Sequence, residues 1–149
     1  MRATVRFFRR PAWQMAPILL GLATPVWAAA RAEVSVELAN ARDGSQVMRL
    51  DRSQVPAGRV RFTVRNLSRD MTHEFLVVRT KLAPSDLPMT AAGSRVDEKK
   101  LHGVEELGDL GPGKSVLKTM TLRPGHYVLF CNEPGHFKAG MHAELAVTE

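Results

Sequence analysis

The strongest constraint in this 149-residue sequence is a short segment near its C-terminus, CNEPGHFKAGM at residues 131–141. The segment carries a thiol on Cys131, an imidazole on His136 and a thioether on Met141. A Pro-Gly pair in its middle favours a turn that folds the segment back on itself. We therefore expect the three donor groups to converge on one point, as the ligands of a metal ion do.

The chemistry of these donors favours copper or zinc, because both ions bind thiolate together with imidazole. A thioether is unusual around zinc, whereas a weak axial thioether is typical of electron-transfer copper sites. Such a site needs a second imidazole, and the best-placed one is His73, in the run MTHEFLVV at the start of an apolar strand. We predict a copper ion bound by His73, Cys131, His136 and Met141.

Each of these residues has a structural alternative when it is considered alone. Met141 could pack in the core, and His73 could be a strand-end histidine with an ordinary hydrogen-bond partner. Met71 is a second sulfur donor close to His73, but it lies in a polar loop and does not follow the order Cys, His, Met. Cys131 is the only cysteine. If the chain is exported, as its N-terminal residues predict, a Cys131 that bound no metal would be a reactive free thiol or would form a disulfide with a second molecule.

The periodicity of apolar residues predicts strands rather than helices. Alternation of apolar and polar residues marks strands with one buried face, and Gly- or Pro-containing turns separate most of them. The predicted strands lie at residues 33–38, 46–51, 60–64, 73–78, 115–122, 126–130 and 142–147. This pattern favours an all-β fold, an antiparallel Greek-key β-sandwich. The last two strands flank the 131–141 segment and would hold it at one end of the sandwich.

The exception to this pattern is a long stretch at residues 79–108, which contains prolines and mixed charges. A stretch of such length in a compact domain usually has local structure or a function. We predict short helical turns near 85–88 and within 96–107. Farther along, the strand at 115–122 alternates imperfectly, which predicts a β-bulge.

Together these motifs resemble the cupredoxins, the small blue copper proteins, and more loosely their sulfocyanin-like and rusticyanin-like bacterial members. The similarity covers nearly all of the chain after its N-terminal segment and rests on THEFLVV, LGDLGPGKS, LRPGHYVLFC and CNEPGHFKAGM. It implies one type 1 copper ion at one end of the sandwich, with the four ligands predicted above. It also implies the shuttling of single electrons between redox partners, such as a cytochrome or an oxidase.

One position departs from the pattern of that family. There the residue after the first His is often Asn, or sometimes Ser, and helps to tie the two ligand loops together, whereas this chain has Glu74. We predict that Glu74 is a solvated carboxylate, with a supporting role beside the ligands as the alternative. The resemblance also implies that the outer edge of His136 faces solvent, and we predict that Phe137 contributes to an apolar docking patch around it. The alternative is that the Phe137 ring only packs the loop. The remaining histidines are predicted to be structural or exposed: His102, His126 and His142.

Residues 1–30 have the composition of a signal peptide. An arginine-rich start precedes an uncharged stretch at residues 11–30, which ends in small residues. We predict cleavage between residues 28 and 32 and export to the periplasm, which leaves one cupredoxin domain at residues 31–149. An uncleaved membrane anchor is the alternative, because an uncharged run of about 20 residues is just long enough to span a bilayer.

The excess of positive charge lies mainly in this N-terminal segment. Of the 21 Lys and Arg residues, five precede Glu33, which leaves 16 against 15 acidic residues. A domain with a net charge near +1 gives no argument for binding nucleic acid. We expect a monomer with neither a nucleic-acid partner nor, after cleavage, a membrane partner.

Catalysis is not expected of this chain. A catalytic metal keeps an open coordination position, whereas the four predicted ligands would leave none. A Cys-His nucleophile pair needs a third residue that orients the histidine, and the sequence has no motif that identifies one. The main alternative function is a periplasmic copper carrier or chaperone that delivers its ion to an acceptor protein. Further methionines are compatible with that function but are scattered and more typical of core packing: Met48, Met71, Met89 and Met120.

Overall fold

The computed structural model describes residues 32–149, so the predicted signal peptide at residues 1–30 lies outside the described part of the chain. The strands are β1 (Ala32–Asn40), β2 (Gln46–Leu50), β3 (Gln54–Pro56), β4 (Gly58–Asn66), β5 (His73–Arg79), β6 (Glu105–Leu110), β7 (Ser115–Leu122), β8 (Gly125–Phe130) and β9 (His142–Thr148). Two short 3-10 turns lie at Pro84–Asp86 and Glu98–Lys100. Within residues 32–149, no helix has the length and apolar character needed to cross a membrane.

The strands form two sheets, in the orders β2-β1-β4-β7 and β3-β9-β8-β5-β6. The predicted all-β Greek-key sandwich is confirmed. The sheets are mixed, however, rather than purely antiparallel. β1 pairs with β4, and β3 pairs with β9, in parallel. Parallel neighbours need a crossover connection, and here each pair joins strands that are not consecutive in the sequence.

The core between the sheets follows from the alternation in the sequence. In β1 and the first seven residues of β4, the buried residues occur at every second position, and their side chains pack against residues of the second sheet. Central members of this core are Val34, Val36, Leu38, Val60, Phe62, Val64, Phe75, Leu129 and Leu145. Fully burying a large apolar side chain contributes about 1.5–3 kcal/mol. Packing of these side chains therefore holds the strands in place, and with them the strand ends that carry the predicted ligands.

A second apolar cluster covers the other face of the five-stranded sheet. Its buried members are Leu76, Val78, Leu87, Val96, Val128, Phe130 and Phe137. Leu87 and Val96 belong to the long stretch 79–108, which is therefore a structured cover, with 3-10 turns close to the predicted helical turns. Because the sheet is covered on both faces, β5 and β8 are apolar on both sides.

Three local features differ from the sequence-based expectations. β3 and β6 are not among the predicted strands. The predicted bulge in 115–122 is wrong, because β7 pairs with β4 in unbroken register from Ser115 to Leu122. The irregularity lies instead between Glu74 and Leu76, where β5 pairs with β6. Bulges bend a strand and redirect its side chains, and this one begins after Glu74, the residue that follows His73.

Candidate metal centre

Three of the predicted ligands lie at the ends of neighbouring strands. His73 is the first residue of β5, Cys131 directly follows β8, and Met141 directly precedes β9. β8 is antiparallel to both β5 and β9, so these three residues lie at the same end of the sandwich. His136 belongs to the loop between β8 and β9.

This loop is folded back by its own backbone hydrogen bonds. The amide of Cys131 donates to the carbonyl of Met141 (3.1 Å), and the amide of Met141 donates to the carbonyl of His136 (3.0 Å). Gly140 has a φ of 103°, a conformation that favours glycine. A Cβ at this position would lie 3.0 Å from the carbonyl oxygen of Gln46, so the loop also approaches the start of β2 closely.

The folded loop brings two imidazoles and the thiol together. Nδ1 of His73 lies 3.2 Å from Nδ1 of His136, which lies 3.5 Å from Sγ of Cys131. All three residues offer donor atoms within 4.8 Å of one another. Bonds to a first-row ion such as zinc are about 2.0–2.1 Å for nitrogen and about 2.3 Å for sulfur, so donors at these separations can share one ion. The donor set therefore fits a metal that binds thiolate and imidazole.

The His73 ring is oriented by a residue that the sequence pattern does not reveal. Its Nε2 lies 3.1 Å from Oδ1 of Asn40, the last residue of β1. Because an amide oxygen can only accept a hydrogen bond, His73 carries its proton on Nε2 in this arrangement. The lone pair of Nδ1 is then free and faces His136. Such partners, which fix the tautomer of a ligand, are typical of metal-binding histidines.

Both imidazoles are in the form that a metal requires. Burial, and secondarily the neighbouring His136, lower the pKa of His73 to about 4. Burial also lowers the pKa of His136, although the Glu133 carboxylate opposes this effect. Both rings are therefore neutral at pH 7 and have lone pairs available for a metal ion.

Cys131 is a buried thiol in the absence of a metal. Burial raises its pKa to about 11, and backbone hydrogen bonds from Glu74 and Glu133 act in the opposite direction. The amide of Glu74 lies 3.3 Å from Sγ. Because a metal binds the thiolate, it must displace the thiol proton. The hydrogen bonds to the sulfur come from backbone groups of both ligand-bearing segments, at Glu74 and at Glu133.

The four predicted ligands differ in their exposure to solvent. His73, Cys131 and Met141 are fully buried, whereas His136 is partly exposed. Met141 belongs to the core cluster that also contains Cys131, and its backbone bonds join both ends of the loop. Its thioether as a ligand stays a prediction.

Glu74 is not the solvated carboxylate that we predicted. Only 15% of its side chain is exposed, and its carboxylate lies 3.7 Å from the guanidinium of Arg95. Burial raises the pKa of Glu74 and so does Glu133, whereas Arg95 lowers it. Carboxylate oxygens of Glu74, Asp109 and Glu133 lie within 4.8 Å of one another. The outer side of the site is therefore acidic, with a cation at its edge.

Part of the stretch 79–108 braces the loop that carries Cys131 and His136. The amide of Val96 donates to Oδ1 of Asn132 (2.7 Å), and Nδ2 of Asn132 donates back to the carbonyl of Val96 (3.1 Å). The amide of Gly135 donates to the carbonyl of Ser94 (2.7 Å). The long connection thus holds the metal loop at more than one point.

Phe137 does not form part of an exposed docking patch, so that prediction is wrong. Its side chain is only 7% exposed, and its ring packs edge-to-face on Phe130 with centroids 5.9 Å apart. The reason is the cover formed by the stretch 79–108, which contributes Leu87 and Val96 to the buried cluster that contains this ring. Exposed residues of the loop are Pro134, Lys138 and Gly140.

Among residues 32–149, the remaining histidines lie outside the three-donor cluster of His and Cys side chains. His126 lies between the carbonyl of Thr80 (2.9 Å) and the carboxylate of Glu144 (2.6 Å), as expected for a structural residue. His142 packs against Phe137 with ring centroids 5.1 Å apart. The sulfur of Met71 contacts the side-chain amides of Asn40 and Gln46.

Comparisons with known proteins agree with this geometry. The sequence model of a family described as copper binding proteins, plastocyanin/azurin family, matches residues 35–148. Reduced auracyanin from the photosynthetic bacterium Roseiflexus castenholzii is 24% identical with a TM-score of 0.51, covering 79% of this chain and 99% of auracyanin. Rusticyanin from Thiobacillus ferrooxidans is 19% identical with a TM-score of 0.55, covering 80% and 79%. These likenesses show the fold. No curated protein matches the chain.

Proposed function

Because the chain belongs to the plastocyanin/azurin family of copper-binding proteins, we propose that it carries single electrons between redox proteins through one copper ion. Membership of this family confirms the predicted resemblance to cupredoxins and the predicted copper cofactor. Proteins of the family generally act in electron transfer. The finer statements, which concern the ligands, the partners and the compartment, are our proposals.

His73, Cys131 and His136 would hold the copper ion, and Met141 would supply a weaker sulfur donor. The observation that carries this proposal is the meeting of two neutral imidazoles and a thiol within 4.8 Å. When bound, copper supplies a one-electron couple. The chain supplies donors anchored by strand ends and braced loops, and donors that move little between the two oxidation states suit electron transfer. Four donors leave no open position of the kind that a catalytic metal needs.

Differences in exposure favour a shuttle over a carrier. A carrier must release its ion, yet three of the four proposed ligands are fully buried. Met48 and Met120 are core residues, so they do not form an accessible relay of sulfur donors. The partly exposed His136 instead gives electrons a short route to the surface, next to Pro134 and Gly140. We propose that a redox partner, such as a cytochrome or an oxidase, docks there.

Stopped-flow mixing separates the shuttle from the carrier. The reduced copper protein is mixed with an oxidised small cytochrome, and in a parallel experiment with a metal-free copper-binding protein. A shuttle is expected to exchange electrons rapidly while it retains its copper. Rapid transfer of copper together with negligible electron exchange would contradict our proposal and support delivery of the ion to an acceptor protein.

We further propose that the protein acts in the periplasm after removal of residues 1–30. The support is the arginine-rich start and the uncharged stretch that follows it. The intact mass of the exported protein tests this proposal, since cleavage between residues 28 and 32 leaves a chain that begins within this window. Recovery of only the full-length chain, in the membrane fraction, would show that the segment is an anchor.

A further inference from the structure

The geometry points to Arg95 as a positioning residue that ties the two ligand-bearing segments together and sets the charge beside the metal centre. This inference rests on the proposed ligands His73 and Cys131. Arg95 belongs to the stretch 79–108, lies on neither segment, and has no motif or spacing in the sequence that identifies it.

The guanidinium of Arg95 contacts both segments at once. Its Nη1 donates to the carbonyl of Asn132 (2.6 Å), and its Nη2 donates to the Glu133 carboxylate (3.3 Å). The same Nη1 lies 3.7 Å from the Glu74 carboxylate. Glu74 directly follows His73, and Asn132 directly follows Cys131. A planar guanidinium presents several donors in a fixed arrangement, so one side chain joins the two ligand segments from outside.

The backbone around Arg95 is itself anchored. The amide of Thr90 donates to the Arg95 carbonyl (2.9 Å), and Ser94 and Val96, on either side of Arg95, make the hydrogen bonds to Gly135 and Asn132 described above. The side chain is 39% exposed, and an exposed ion pair by itself adds little stability. The importance of Arg95 therefore lies in the relative position of the segments that follow His73 and Cys131, and in the positive charge that it places beside the metal centre.

That charge offsets a local excess of carboxylates. Glu74, Asp109 and Glu133 lie together, and among residues 32–149 Arg95 is the only residue that forms an ion pair with Glu74 or Glu133. Without the guanidinium, the outer side of the site becomes more negative. Oxidised copper has one more positive charge than reduced copper, so added negative charge favours the oxidised state. Loss of Arg95 should lower the reduction potential.

Arg95→Gln in the copper-loaded protein tests this role. We expect the equilibrium constant for reduction to fall about tenfold, which is about 59 mV for a one-electron couple. We also expect the dissociation constant for oxidised copper to rise about tenfold, as is common when a partner outside the ligand shell is lost. The dissociation constant for reduced copper should rise about tenfold more, because the ratio of the two constants follows the change in the equilibrium constant for reduction. The matched control is Arg61→Gln, because Arg61 is also ion-paired, to Glu33, and its side chain is 36% exposed, close to that of Arg95.

Arg95→Lys separates charge from position. Lysine keeps the charge but lacks the planar fork, so the reduction potential should recover most of its value while copper binding stays weakened. In the metal-free protein, amide hydrogen exchange of Val96 and Gly135 should accelerate in Arg95→Gln. This measurement tests whether Arg95 holds the two segments together, even if the proposed ligands are wrong. The inference would be overturned if Arg95→Gln kept the wild-type reduction potential, copper affinity and amide hydrogen-exchange rates. It would also be overturned if Arg61→Gln changed these quantities as much as Arg95→Gln.

Discussion

Replacing Cys131 by serine is expected to abolish the intense visible absorption of the copper-loaded protein. In sites of this kind the band requires a thiolate on copper, and Cys131 is the only cysteine in the chain. The fold should survive, because a serine oxygen can still accept the hydrogen bond that the Glu74 amide donates to Sγ. Visible absorption during copper titration, with far-ultraviolet circular dichroism of the same samples, measures both effects.

Met141→Leu is the companion variant, because leucine keeps an apolar side chain in the core but removes the sulfur. The protein should keep its copper and its visible band while the reduction potential rises, since a donor that favours oxidised copper is lost. Met120→Leu is the control, because Met120 is also a buried methionine of the core but lies outside the proposed ligand set. A band that persists in Cys131→Ser would show that the ligand set is wrong. An unchanged potential in Met141→Leu would remove only Met141.

The fold could be predicted where a strand keeps an alternating apolar face. β1, β4 and β9 have this pattern because they lie inside the sheets and face the core, whereas β8 is apolar on both sides because its sheet is covered on both faces. β3 and β6 lack it. Both lie at the edges of the five-stranded sheet, where a strand can be short, charged or interrupted by proline. β6 begins with two exposed glutamates and β3 has three residues and ends in Pro56. Their pairing depends on the neighbouring strand rather than on their own sequence.

The candidate site could be predicted where its chemistry is local in sequence. Cys131, His136 and Met141 lie on one loop, and the donor types themselves indicate copper. Asn40 and Arg95 could not be predicted, because they reach the site only through the fold. Asn40 is 33 residues from the histidine that it orients, and Arg95 is 37 residues from Asn132. The acidic surroundings of Glu74 have the same origin, since Asp109 and Glu133 come from other segments.

Phe137→Glu is expected to lower the free energy of unfolding of the metal-free protein by at least about 3 kcal/mol. Removing a buried aromatic ring alone costs about 3–5 kcal/mol, and a carboxylate at the same position would be buried without a partner. The ring is 7% exposed, packs on Phe130, and belongs to the same buried cluster as Leu87 and Val96. Chemical denaturation monitored by circular dichroism measures the loss.

Two further variants distinguish packing from docking at this position. Lys138→Glu changes the next residue, which is exposed, and should alter stability by no more than about 0.5 kcal/mol. Phe137→Leu keeps an apolar side chain and should retain much of the stability that Phe137→Glu loses. Because Phe137 follows His136, loosening its ring should also weaken copper binding. A Phe137→Glu protein with wild-type stability and copper affinity, but slower electron exchange, would instead identify Phe137 as a contact for the redox partner.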